Sequence, residues 1–256
     1  FLEGQFGQKF DWDAFADGIR RFNELNIHET NKWDVYAKCD NIALNSMAQA
    51  FWRIYMYQQG ANKHFEREAK VIWKYFEKCL KKDIRPFKYK HRALAWSCGS
   101  TYYDSATCWL YQCWGILTVI NMASLTGHNI VDTEDRDEMM SDIADLYARS
   151  PMRTHTVGGN RHILMMFETA AKFNCDMIVM YDDIGCKGMA GCQGLLEEEF
   201  RKHPEFHIMW MPHALMDCRT VPTAEARKVV NDYMTTVLHE EPVDPSLVDF
   251  DDSEGW

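Results

Sequence analysis

A cysteine set in a frame of glycines is the most chemically suggestive feature of the chain, in the stretch Tyr181-Asp-Asp-Ile-Gly-Cys-Lys-Gly-Met-Ala-Gly-Cys-Gln-Gly194. Glycines at 185, 188, 191 and 194 keep few side chains between the backbone and any approaching group. Cys186 is followed by Lys187 and stands near an expected helix N-terminus. Unbonded amides, the helix dipole and a neighbouring cation all favour a thiolate over a thiol there. A thiolate so placed suits a nucleophile, a redox group or a metal ligand. Against this stands the commoner fate of a lone cysteine, a small buried hydrophobe. That structural reading is preferred for Cys192, six residues further on.

Other residues join Cys186 if the strands run as their patterns suggest. Cys98, with Ser97 and Ser100, follows one apolar run; His213, with Asp217, follows another. Asp182 and Asp183 suit a metal or a proton transfer, but two acids at a strand end also cap the following turn, and capping is preferred. His155, before the pair Gly158-Gly159 at a helix start, lies where a phosphate or acyl oxygen would be received. Zinc would need several nitrogen or sulfur ligands at short spacing, and these are missing. Neither a G-x-x-x-x-G-K-[ST] loop nor a G-x-G-x-x-G after a strand occurs, so ATP hydrolysis and dinucleotide binding by those motifs are not expected.

The elements that must position these residues alternate. Ala93–Ser97, Ile116–Ile120, residues 176–181 and Phe206–Met211 read as strands. Helical patterns lie at about 103–114, 132–149, 160–173, 195–201 and 223–238. Strands alternating with helices predict a parallel, doubly wound α/β sheet of the flavodoxin-like kind, with its ligand edge at the carboxyl ends of the strands. Residues 1–90 predict a helical region, with apolar stripes at Phe10–Phe22, Leu44–Tyr55 and Phe65–Cys79 that read as ordinary helix core. Seven basic residues between Lys78 and Arg92 suggest either a landing site for phosphates or a solvated linker, and Pro86 favours the linker. The expected division is therefore 1–90 helical, 91–239 α/β, and 240–256 an acidic surface extension with seven acids and no bases.

Composition narrows the function classes. A chain of 256 residues with 46% hydrophobic residues can bury a real core. A net charge of −10 and a pI near 5.5 argue against nonspecific nucleic-acid binding. Apolar runs are too short to span a bilayer and no signal peptide opens the chain, so a cytoplasmic protein is expected. Nine cysteines without a C-x-x-C pair are then expected to stay reduced. With 15 methionines and nine tryptophans they make an oxidisable composition suited to an anaerobic setting.

The segments Phe173–Gly194, Trp210–Thr220, Tyr233–Thr236, Arg92–Cys98 and Phe10–Phe15 together resemble the 2-hydroxyacyl-CoA dehydratase/benzoyl-CoA reductase family. The likeness is strongest to the B-type subunits of its ATP-dependent benzoyl-CoA reductases. It spans nearly the whole chain, and the Asp-Asp-Ile-Gly-Cys-Lys segment is its most specific part. The resemblance implies flavodoxin-like lobes with a helical region, pairing with a homologous cluster-binding subunit, and a [4Fe–4S] cluster held by three cysteines. Cys186 matches the family's C-terminal ligand. The other two belong to an N-terminal lobe, so this chain is expected to be the C-terminal part of such a subunit, with Cys98 as an alternative ligand. The implied reaction is a two-electron reduction of benzoyl-CoA to a cyclic diene-carbonyl-CoA. Electrons come from ferredoxin, and separate activator subunits hydrolyse ATP. One alternative is a 2-hydroxyacyl-CoA dehydratase subunit that eliminates water by radical chemistry. Another, of a different class, is a cluster-free scaffold or binding subunit.

Overall fold

The computed structural model describes residues 1–45, 62–97, 104–122, 130–149, 161–214, 217 and 219–250. After a single helical turn, Leu2–Phe6, helix α1 runs Trp12–Lys38, with Asp11 accepting the Ala14 amide at 2.9 Å as its N-cap. Helix α2, Lys63–Lys81, is capped by Asn62. The rest of the chain alternates: β1 His91–Trp96, α3 Asp104–Trp114, β2 Ile116–Asn121, α4 Arg136–Ala148, α5 Arg161–Lys172, β3 Met177–Asp183, α6 Lys187–Phe200, β4 His207–His213 and α7 Thr223–Asp232. A π-helical turn, Tyr233–Val237, extends α7, and a 3-10 turn, Pro245–Leu247, follows.

The four strands are all parallel in the order β2-β1-β3-β4. This is the flavodoxin-like doubly wound arrangement, in which the winding reverses between β1 and β3. Strand alternation divides the core. Ala93, Ala95, Met177, Val179, Tyr181, Met209 and Met211 pack with Trp109, Leu110, Ala226 and Val230 of α3 and α7. Leu94, Trp96, Ile178 and Met180 face the other way, against Ile163, Met166, Phe167 and Leu196 of α5 and α6. Trp33 and Tyr36 of α1 and Phe76 of α2 join this second cluster, so the helical segment shares a core with the sheet. Strands buried on both faces explain the continuous apolar runs in the sequence.

Two expectations change, and one gains detail. The chain from Lys187 is already α6, so Gly188, Gly191 and Gly194 lie within a helix and not in an open glycine loop. Each interior glycine costs about 1 kcal/mol relative to alanine, but burial of Leu196 and partial burial of Cys192 and Phe200 hold the helix in place. The basic run is not a solvated linker throughout. Lys78 and Lys81 end α2, and Arg92 is only 6% exposed, its guanidinium donating to the carbonyls of Tyr36, Phe173 (2.6 Å) and Cys39 (3.5 Å). The acidic extension lies at the surface as far as it is described, and is held there by hydrogen bonds as far as Val248. Val243 N donates to Cys113 O (2.7 Å), Trp109 Nε1 to Leu247 O (2.7 Å) and Asn231 Nδ2 to Val248 O (3.0 Å). Most of the Leu44–Tyr55 stripe lies outside the described residues.

Candidate functional site

The switch point between β1 and β3 is where a doubly wound sheet leaves a crevice for ligands, and the described residues there come from β1, β3 and β4. Along this edge Trp96 pairs with Met180, and Asp183 pairs with His213. Ile184 N continues the ladder by donating to His213 O at 3.1 Å. Beyond Asp183 the chain turns sharply. The Asp183 carboxylate accepts the Gly185 amide at 3.1 Å, and the Asp183 carbonyl accepts the Cys186 amide at 2.9 Å. A short acid at the first turn position supplies this local cap. Gly185 sits close to that carboxylate, and an added Cβ would meet Asp183 Oδ1 at 3.5 Å, ordinary contact.

The turn delivers Cys186 as the N-cap of α6 in an extended conformation (φ −90°, ψ 94°), and no side chain caps the helix there. Its thiol is half-buried and packs against the second core cluster. The first amides of a helix lack intrahelical partners and carry the positive end of its dipole. Lys187 beside it is exposed, as is Ile184 at 66%. At the end of β1, Ser97 is buried yet has φ +72°, a left-handed conformation that a non-glycine residue adopts only where its surroundings enforce it.

Beneath the edge the packing is aromatic. Trp96 Nε1 donates to His162 Nε2 at 2.9 Å. On the opposite face Tyr181 stands edge-on to the fully buried His213 (centroids 5.4 Å) and shares a 3.4 Å hydroxyl contact with Thr107.

The residues named from sequence therefore separate. Asp183, Cys186 and His213 meet at the carboxyl edge, whereas Asp217 is engaged locally. It accepts from Arg219 Nε at 2.9 Å and from the Arg219 amide at 3.0 Å, contacts that hold its carboxyl down to about 2. Cys192 packs against the core. Cys98, Ser100 and His155 lie outside the described residues. The left-handed Ser97 was not foreseen, since nothing in its type announces a positive φ.

Among the described residues no group of three or more His, Cys, Asp or Glu side chains is arranged to hold a metal ion. The described edge thus fits one ligand of an iron–sulfur cluster: a sulfur donor, half-buried, at a helix N-terminus whose amides are not claimed by a side-chain cap.

The sheet is parallel and doubly wound, with the Asp183–Cys186 turn at its switch point, which is the arrangement of a flavodoxin-like α/β protein. The model of the 2-hydroxyglutaryl-CoA dehydratase D-component family matches residues 1–216, and the chain belongs to that family. It is thus a subunit of a 2-hydroxyacyl-CoA dehydratase-like enzyme acting on acyl-CoA. Comparison with curated proteins gives no match. Among the described residues no helix is long and apolar enough to cross a membrane.

Proposed function

We propose that this chain is the iron–sulfur subunit of a benzoyl-CoA reductase, with Cys186 as a ligand of a [4Fe–4S] cluster. The observation that carries the proposal is the position of Cys186: the N-cap of α6, one turn beyond β3, at the switch point of a chain that belongs to this acyl-CoA family. Cys98, one residue beyond Ser97 at the end of the neighbouring β1, is the alternative ligand from this chain.

Bound there, such a cluster supplies electrons at low potential, tuned by burial and by amide hydrogen bonds to sulfur. The chain's own contribution is positional. Asp183 shapes the turn that holds the Cys186 backbone. The buried Trp96, Tyr181 and Met211 exclude water below the edge, which strengthens electrostatic effects on a substrate held above it. The net reaction adds two electrons and two protons to the ring of benzoyl-CoA and yields the cyclic diene-carbonyl-CoA. Ferredoxin is the donor, activator subunits hydrolyse ATP, and a homologous cluster-binding subunit completes the catalytic pair. The setting is cytoplasmic and anaerobic.

A second reading is favoured by one observation, the family model itself, which is that of a dehydratase component. In that reading the same site returns its electron each turnover and water leaves a 2-hydroxyacyl-CoA. Assaying the anaerobically purified complex with its partner and activator separates the two. Consumption of reductant with benzoyl-CoA, in proportion to diene formed, supports the reductase. Dehydration of a 2-hydroxyacyl-CoA with catalytic reductant, and no ring reduction, assigns the dehydratase. Activity on neither by an iron-free complex would leave a scaffold.

A further inference from the structure

The opposite, amino-terminal edge of the sheet carries a cluster that the reaction does not use. His91 opens β1 and is 6% exposed, with a carboxylate on each ring nitrogen. Nδ1 lies 2.7 Å from Asp176 Oδ2, just before β3, and Nε2 lies 2.9 Å from Glu240 Oε1, in the C-terminal extension. Asp176 is fixed from the sheet side, accepting the Arg92 amide at 2.7 Å. Ionised carboxylates only accept hydrogen bonds, and a neutral imidazole has only one N–H to donate. Both contacts are satisfied together only by the doubly protonated imidazolium.

We infer that the proton on His91 is the pin of a latch that holds the C-terminal extension, residues 240–250, across the amino edge of the sheet, and that raising the pH withdraws it. The extension has much to release. It carries the carbonyls that Trp109 and Asn231 bond, and Leu247 and Val248 pack on the buried cluster of α3 and α7. The latch residues come from three places in the chain, so the proton couples β1, the β3 entry and the extension.

The charges facing His91 are few. Just before its own strand, Lys90 reaches Glu240 Oε2 at 3.5 Å and the Glu241 carbonyl at 2.6 Å. The β3 side contributes Asp176, and β4 contributes His207, whose ring stands edge-on with centroids 6.0 Å apart. Glu240 and Glu241 come from the extension, with His239 next to them in sequence. The Asp176 hydrogen bond raises the His91 pKa above its ordinary 6.5 against the opposing effect of burial, with both carboxylate charges adding to the rise. Of these causes only the Glu240 charge and hydrogen bond leave with the extension, so their stabilisation of the closed form is full below the open-latch pKa of His91 and is lost as pH climbs through the closed-latch one. The Asp176 carboxyl is pushed up by burial, but His91 and the Arg92 amide together hold it below 3.8, so its contribution fails only in acid. The latch is therefore shut from mildly acid to neutral pH and loosens on alkalinisation. Lys90 keeps its charge there and retains part of the grip.

Hydrogen exchange of residues 240–250, corrected for intrinsic rates and measured from about pH 6 to about pH 9, tests this. In the wild type, protection of this segment falls as pH rises, by about tenfold for each unit by which the closed-state His91 pKa exceeds the open-state value. His91→Gln and, separately, Glu240→Gln give pH-independent protection, with α3 and the sheet unchanged. Flat protection in the wild type would overturn the latch, and so would an undiminished slope in Glu240→Gln. If His91→Gln does not fold, Glu240→Gln and the NMR titration of His91 in the wild type decide alone: a pKa at or below 6.5 would contradict the proposal.

Discussion

At the amino ends of the strands, polar side chains bridge distant elements, whereas at the carboxyl ends the hydrogen bonds of the Asp183–Cys186 turn are mostly local. Arg92 joins the C-terminal carbonyls of α1 and α5 and reaches Tyr89 and Asp40, while His91 bridges Asp176 and Glu240. Across the sheet, Asp183 caps Gly185, Ser97 bears a left-handed backbone, and Cys186 sits at a helix start without a side-chain cap. The first edge binds elements together; the second is where the proposed site lies. If the proposed site is correct, stability and function fall at opposite ends of the same four strands, as switch-point geometry leads one to expect.

Substitutions at the two edges should therefore separate folding from chemistry. The largest loss is expected for Arg92→Met, which removes a buried cation and leaves several buried carbonyls without a donor. Chemical denaturation should show about 3 kcal/mol or more of destabilisation. Gly115→Ala comes next. Gly115 has φ +71°, and an added Cβ would lie 3.2 Å from the Lys90 backbone nitrogen and from Val243 Cγ2. A shift in melting temperature equivalent to roughly 1–3 kcal/mol is expected. On the other edge Gly191→Ala should act in reverse, because a Cβ there meets nothing within 4 Å and the residue is helical. Unfolding should show a gain of about 0.5–1 kcal/mol. If that variant is more stable but loses turnover, its exposed helix face is needed for a close approach. Smallest on stability is Cys186→Ser, whose half-buried thiol should change the folding free energy by less than about 1 kcal/mol.

Much of this plan was legible in the chain. Strands buried on both faces appear as unbroken apolar runs, so β1, β2 and β3 were found within a few residues, and their alternation with helices implied the parallel sheet. The turn at Asp182–Cys186 was legible because acids and a glycine mark a strand end. The start of α6 was misread, since three glycines in eight residues argue against helix locally, and tertiary packing through Leu196 overrides that preference. Helix α1 runs to 27 residues, beyond its first apolar stripe, because its later turns bury Asn26, Glu29 and Lys32, types that read as solvent-facing. Lys32 and Glu29 neutralise one another at 2.6 Å, a pairing no periodicity reveals. The docking of residues 240–250 was equally hidden: it relies on main-chain carbonyls accepting from Trp109 and Asn231, to which side-chain composition is blind.

The central claim is that Cys186 holds a cluster at an edge that contributes little to folding. Iron content and the EPR spectrum of the anaerobically purified complex with its partner, wild type against Cys186→Ser, together with thermal unfolding of both, test it most directly. The account predicts iron and a [4Fe–4S] signal in the wild type, loss of this chain's share in the variant, and nearly unchanged melting. Equal iron and the same spectrum in both proteins would contradict it and remove Cys186 from the chemistry.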